Sequence, residues 1–432
     1  MTGSAWFRFA SDKPMRIVSF IDKHPALSIF LVSIFAAKSV ISILTPLSAD
    51  FMLLGPISSS QGIAWVLGTG NPAVLWILVM MGIHNVWLLL PIDHTSLTLM
   101  MGLWYFTPSF SSFLLVFMYK LPLIVIDFVS AFLLYRIAIS LGVDYRGATA
   151  ATVLWLANPY VTLTSEMWGG YDIVAQFFVL ASILLLMKNR TITAALALAI
   201  GVGFKLYPLI LLPAFLLFLL KQRRQAFRRF LGATAFSILL MTSAVFFVVG
   251  GGSHLRALAR YFLDQSGFFT LSAFETYLPA YVALGLTVAA TTFYLLLSYR
   301  LRASSKEFLV DSVFGQLLIL FALSYWHPQY LVWILPFVTL DYVLHRPRPL
   351  YPILLIGSAF SYVLIRFGYY FSSYQTTVFF VPNYDNQLQA ISNMIYALFE
   401  SNWNGPEVVL LRGLFLGICV LYVVKQFQRT SL

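Results

Sequence analysis

Long runs without a charged residue alternate along this chain with short clusters of lysine and arginine, and that alternation restricts the fold more than any other feature. Phe230–Val249 contains no charged side chain, and Leu209–Leu220 is apolar up to Lys221. Charged residues make up 10% of the 432 positions, against about 25% in a soluble globular chain. Lipid is therefore the bulk solvent, and backbone immersed in it must close its hydrogen bonds in helices or in a closed barrel. Period-two alternation does not recur, which removes the barrel. The fold expected is an all-α polytopic membrane protein. Cys419 is the single cysteine, so neither a disulfide framework nor a cysteine-based metal site is available. The net charge of +11 is spread over loops, a positive-inside pattern and not a nucleic-acid footprint. Met1–His24 is polar and reads as a retained cytoplasmic tail, not as a signal peptide.

Apolar runs place spanning helices near 25–47, 110–135, 147–164, 172–187, 191–204, 206–220, 230–250, 276–299, 308–324, 330–345, 349–366 and 406–424. That makes about twelve spans in one membrane domain, 1–432. Ala73–Pro91 is apolar enough to span, but Gly82, His84 and Asn85 interrupt it. Charge decides its place. With 73–91 left out, alternate gaps collect Arg136 and Arg146; Lys188 and Arg190; Lys221, Arg223, Arg224, Arg228 and Arg229. Arg300, Arg302, Lys306, Arg346, Arg348, Lys425 and Arg429 follow on the same side. Adding Arg8, Lys13, Arg16 and Lys23 of the tail 1–24, that side holds 20 of 27 basic residues. Counting 73–91 as a span sets the tail opposite all the others, against the positive-inside rule. Residues 48–108 are thus expected to form a long first extracytoplasmic loop, with 73–91 interfacial or re-entrant, and 367–405 a second such loop.

The remaining polar residues fall on the extracytoplasmic side. Asp50 follows the first span, where a carboxylate serves as a general base or simply as a solvated cap. Asp93-His94 is a pair in the same loop, read either as surface or as a ligand pair. Glu166-Met-Trp-Gly-Gly-Tyr-Asp172 opens the fourth span; Asp172 suits a helix N-terminus, and the neighbouring Trp, Tyr and Glu suit a sugar pocket. Lys205-Leu-Tyr207-Pro lies between two spans with almost no loop, so its ammonium either snorkels or meets a lipid phosphate. In Trp326-His327-Pro-Gln329-Tyr330, an aromatic belt accounts for the Trp and Tyr but not for His327 with Gln329. Arg366 is a further outer cation, as are Arg256, Arg260 and Arg412. Lys38, Lys120 and Asp127 are nominally inside spans; they are either functional or a means of holding helices together.

Gly169-Gly-Tyr-Asp172, followed by Phe204-Lys-Leu-Tyr-Pro208 and by Pro328-Gln-Tyr-Leu-Val-Trp-Ile-Leu-Pro336, resembles elements of the first mannosyltransferase of GPI-anchor assembly. Tyr119-Lys-Leu-Pro122 through Asp127 is similar to that family's Lys-x6-Asp stretch. The layout also resembles prokaryotic polyprenyl-phosphate-mannose-dependent mannosyltransferases, members of the GT-C superfamily. The resemblance covers roughly residues 25–345. It implies a GT-C-like, inverting glycosyltransferase that moves a hexose, in the first instance mannose, from a polyprenyl or dolichyl monophosphate to a lipid- or glycan-linked acceptor. Asp50 is then the base; Lys205, His327 and Arg366 bind the donor phosphate; Glu166, Asp172, Tyr207, Gln329, Tyr330, Asp93 and His94 line the sugar and acceptor pocket. The family's Asp-x-Asp is missing, because Asp50 is followed by Phe51 and Met52. That departure argues against a divalent metal there, and no cofactor is expected. The location implied is a prokaryotic plasma membrane, or the endoplasmic reticulum of a eukaryote. A partner subunit is left open.

Two alternatives stand beside this reading. A lipid-linked-sugar flippase or secondary transporter would use Lys38, Lys120 and Asp127 as a relay, but no internal repeat of 20–50 residues is present. An oligosaccharyltransferase-like role is suggested by Trp168-Gly-Gly-Tyr-Asp172 and weakened by the few residues after the last span.

Overall fold

Apolar sequence becomes helix almost everywhere in the computed structural model, which describes residues 25–44, 74–92, 97–100, 103–106, 110–248, 280–301, 305–323, 328–345, 352–359 and 406–428. In chain order the first helices are α1 (Pro25–Leu44), α2 (Val74–Leu88), α3 (Phe110–Ser140), α4 (Tyr145–Leu156), α5 (Asp172–Met187) and α6 (Thr191–Phe204). Then come α7 (Leu212–Gln222), α8 (Arg224–Val248), α9 (Ala280–Leu301), α10 (Lys306–Leu323), α11 (Leu335–His345) and α12 (Pro406–Gln428), with a short helix at 352–359 before the last. Strands β1 (Leu97–Met100) and β2 (Leu103–Phe106) form an antiparallel hairpin with Leu97 opposite Phe106, a small departure from the all-α expectation. The chain is a helical membrane protein. Among the described residues, Pro25–Ile43, Phe113–Ser140 and Leu410–Gln428 are long and apolar enough to cross a bilayer.

Three expected spans are not single helices. The run 147–164 divides at Asn158-Pro159: α4 ends at Leu156, and Asn158 accepts the Tyr160 N–H at 2.9 Å. One turn, Pro159–Val161, then leads into a π-helical turn, Thr162–Met167. Proline has no N–H with which to continue α4, and the asparagine side-chain carbonyl caps the turn that begins there. The run 206–220 begins as a separate turn, Tyr207–Ile210, with Pro208 in a first turn that needs no donor. The run 330–345 opens as a 3-10 turn, Pro328–Trp333, before α11 begins. The segment 73–91 forms α2, whose Trp76, Ile77, Met80 and Trp87 are buried in the bundle beside α3 and α6.

Lys306, at the start of α10, donates to the Ser140 carbonyl at the end of α3 (3.2 Å). Lys221, near the end of α7, lies 4.8 Å above the Tyr299 ring and 4.7 Å above Phe308. The basic turns after α3, α7 and α9 therefore share one end of the bundle. Since α4 to α7 run back and forth from that end, the irregular segments 157–171 and 205–211 lie at the other. The two ends of the bundle are chemically different.

Candidate functional site

Two charged clusters hang on one stretch of chain, Thr162–Asp172. The first is sealed. Lys38 of α1 places its ammonium 2.8 Å from Asp127 Oδ2 of α3 and 3.2 Å from Glu166 Oε1 of the π-helical turn. Trp155 of α4 donates its indole N–H to Asp127 Oδ1 at 2.6 Å. Lys120 of α3 donates to the carbonyls of Met167 (2.7 Å) and Ser42 (3.2 Å). Those carbonyls end the π-helical turn and lie in the last turn of α1, where helix dipoles present partial negative charge. Two cations and two anions, all fully buried, thus balance formally while tying α1, α3, α4 and the turn together. The π-helical turn, whose hydrogen bonds close over one more residue than those of an α-helix, carries Glu166 on its buried side.

The second cluster is less completely sealed, with 14% of the Lys205 side chain exposed. After Met167 the chain reverses through Gly169, whose φ of +72° is strained for any L side chain. Gly170 then donates its N–H to the Thr164 carbonyl at 2.8 Å. A β-carbon on Gly170 would stand 2.6 Å from that oxygen, so the turn closes tightly only with glycine. Asp172 follows at the first position of α5, accepting from Trp333 Nε1 (2.9 Å) and from Lys205 Nζ (3.4 Å). Lys205 is in extended conformation between α6 and the Tyr207 turn, which ends one helix and turns its side chain toward α5. Its ammonium lies 4.7 Å from the Tyr171 ring centre and 5.2 Å from that of Tyr330, within cation–π range. Beyond it the rings continue: Tyr330 stacks on Trp333 (4.4 Å) and Trp333 on Tyr207 (3.8 Å). The Tyr207 hydroxyl donates to Gln176 Oε1 at 2.6 Å, and Trp76 of α2 stacks on Tyr171 at 5.5 Å.

Of the candidates named from sequence, Asp172, Lys205, Tyr207 and Tyr330 gather here, with half-buried Gln329 beside Gly170. Glu166 does not; it turns away into the sealed cluster. Asp50, Asp93, His94, His327 and Arg366 lie outside the described residues. Residue-type reasoning passes over Gln176 and Trp333. Gln176 had a signal, since it stands one helical turn after Asp172 and so on the same face. Trp333 stood in the Pro328–Pro336 motif but received no role of its own, because a tryptophan in an apolar run looks like any other core residue. Among the described residues no three of His, Cys, Asp and Glu gather to hold a metal ion.

The family profile for the GPI transamidase subunit PIG-U matches residues 83–324, more than half of the chain. The chain belongs to the PIG-U family. Membership corrects the GT-C reading. PIG-U is described as a subunit of GPI transamidase and not as a polyprenyl-phosphate-sugar glycosyltransferase. Hexosyl transfer, mannosyltransferase activity, Asp50 as base of that reaction and a sugar donor and acceptor as the partners are therefore withdrawn for this PIG-U family chain. The flippase, transporter and oligosaccharyltransferase alternatives find no support in the match either. The physical reason the motifs misled is visible in the second cluster. Asp172, Lys205, Tyr207 and Trp333, the residues that carried the resemblance, satisfy one another. They join α5, α6 and the 3-10 turn before α11, a task independent of glycosyl transfer.

Proposed function

We propose that this chain is a membrane-embedded accessory subunit of an assembly working on glycosylphosphatidylinositol, and that Lys205 holds the phosphate of the glycolipid headgroup. One observation carries the reading. The side chains of Lys38 and Lys120 are sealed, whereas that of Lys205 keeps 14% of its surface exposed while rings and a carboxylate fix its position. A phosphate arriving at Lys205 gains a charge-assisted hydrogen bond. Asp172 is not abandoned when Lys205 turns to a ligand, because the Trp333 N–H and the positive end of α5 still face it. Tyr330 lies beside Lys205 and Gln329 beside Gly170, and His327 and Arg366 stay in the proposal as further phosphate contacts.

The finer topology belongs to this proposal too: about twelve spans in one membrane domain, the N-terminus and basic turns cytoplasmic, and the Lys205 cluster extracytoplasmic. The positive-inside distribution supports it, as does the shared end of the turns after α3, α7 and α9. Calorimetric titration of the detergent-purified chain with short-chain phosphatidylinositol tests the site. Lys205→Gln, which keeps a donor for Asp172, should weaken binding by about tenfold or more, matching the ~1.5–3 kcal/mol of a charged hydrogen bond. Equal binding by the two proteins rejects the reading.

A further inference from the structure

Asp172 is nearly sealed, and three sources of positive potential converge on it: the Trp333 N–H, the Lys205 ammonium and the first turn of α5. They do not hold it equally. The Trp333 bond is 2.9 Å, whereas Lys205 stands at 3.4 Å, longer than the about 2.7–2.9 Å of a close ammonium–carboxylate contact. Lys205 is therefore held less closely than in a tight pair, and 14% of its side chain stays exposed against 3% of that of Asp172. An anion reaching Lys205 is drawn by its ammonium and repelled by Asp172 beside it. Its affinity depends on how completely Asp172 is neutralised by something other than Lys205.

We infer that Asp172 sets the phosphate affinity of this site, competing with the ligand for the Lys205 ammonium, and that Trp333 tunes this competition by satisfying Asp172 from its other side. The inference rests on the reading of Lys205 given above. The ligand chemistry is a phosphate oxyanion, whether carried on a lipid headgroup or free in solution. Asp172 and Trp333 act through Lys205 and are positioning residues.

The two substitutions that test this have opposite expected signs, which a merely structural role cannot produce. Asp172→Asn keeps an acceptor for the Trp333 N–H but removes the competing charge, so affinity rises by about tenfold, or about 1.4 kcal/mol. Trp333→Phe keeps a ring against Tyr207 and Tyr330 but removes the N–H. Asp172 then draws harder on Lys205, and affinity falls severalfold. The full-length chain in detergent is titrated with short-chain phosphatidylinositol, with short-chain diacylglycerol as the phosphate-free control and with inorganic phosphate alone. The expected result is Asp172→Asn tighter than wild type, Trp333→Phe weaker, and no response to diacylglycerol. The same order with inorganic phosphate as the stronger ligand supports the role of Asp172 but rejects the glycolipid reading. Loss of binding in Lys205→Gln, with Asp172→Asn no tighter than wild type, overturns the Asp172 inference and leaves that reading in place. No binding by wild type rejects both. If Asp172→Asn does not fold, Trp333→Phe decides alone, and unchanged or tighter binding there overturns the inference.

Discussion

Lys38→Met removes one of two ammonium groups from a cluster whose four charged side chains are all sealed. The formal charge of that cluster changes from zero to −1, and Asp127 and Glu166, which Lys38 holds at 2.8 and 3.2 Å, are left facing one another. Removing one partner of a buried ion pair costs about 3–5 kcal/mol. One ammonium here serves two carboxylates, so a loss of about 4–5 kcal/mol is expected. Helix α1 should suffer first, because among the described residues nothing covers Ile29, Val32 and Val40 on its other face. The assay is unfolding in mixed micelles of rising denaturing-detergent fraction, with a cross-link between α1 and α3 reporting whether α1 stays docked. Adding Glu166→Gln restores neutrality, with Lys120 left to balance Asp127. The double variant should recover about 2 kcal/mol relative to the sum of the two single changes, a coupling expected of groups in direct contact. Were Lys38→Met to lie within about 0.5 kcal/mol of wild type, the range of ordinary surface changes, or the two losses simply to add, the charge-balance account would be refuted.

Two packing substitutions complement the binding experiments. Gly170→Ala puts a β-carbon 2.6 Å from the Thr164 carbonyl; the turn must open, costing about 1–3 kcal/mol by overpacking. It should also weaken phosphatidylinositol binding by moving Asp172 relative to Lys205, and normal affinity in a destabilised variant would separate the two effects. Gly315→Ala drives its β-carbon into the Tyr294 ring, whose hydroxyl lies 2.8 Å from both the Asp311 carbonyl and Gln426 Oε1. Stability should fall by about 1–3 kcal/mol with headgroup affinity unchanged, and Tyr294→Leu in the same chain should restore part of the loss. No recovery there would mean that the overlap with Tyr294 is not the cause.

Helix positions were largely legible in the amino-acid sequence. The limits of α5 and α6 coincide with the apolar runs 172–187 and 191–204, because Lys188 and Arg190 mark the turn between them. The break in 147–164 was legible in principle at Asn158-Pro159, but its outcome was not: proline stops a helix without saying whether a π-helical turn comes next. Charged residues inside spans were recognisable as special, yet a helical spacing of seven between Lys120 and Asp127 does not say that Asp127 shares Lys38 with Glu166 while Lys120 turns to backbone carbonyls.

Hydropathy and charge are local properties of each segment, so residue order is enough for the alternation of apolar runs with basic turns and hence for a helical membrane protein with two unlike ends. Which acid meets which base depends on packing between segments far apart in the chain. Glu166 and Asp172 share one short segment, but the π-helical turn and the φ of +72° at Gly169 send the first inward to Lys38 and the second outward to Lys205. Residue order alone made Asp172, Lys205 and Tyr207 look like parts of a glycosyl-transfer site. Packing made them partners of one another, because charges at membrane depth must be neutralised by whatever the fold brings within reach.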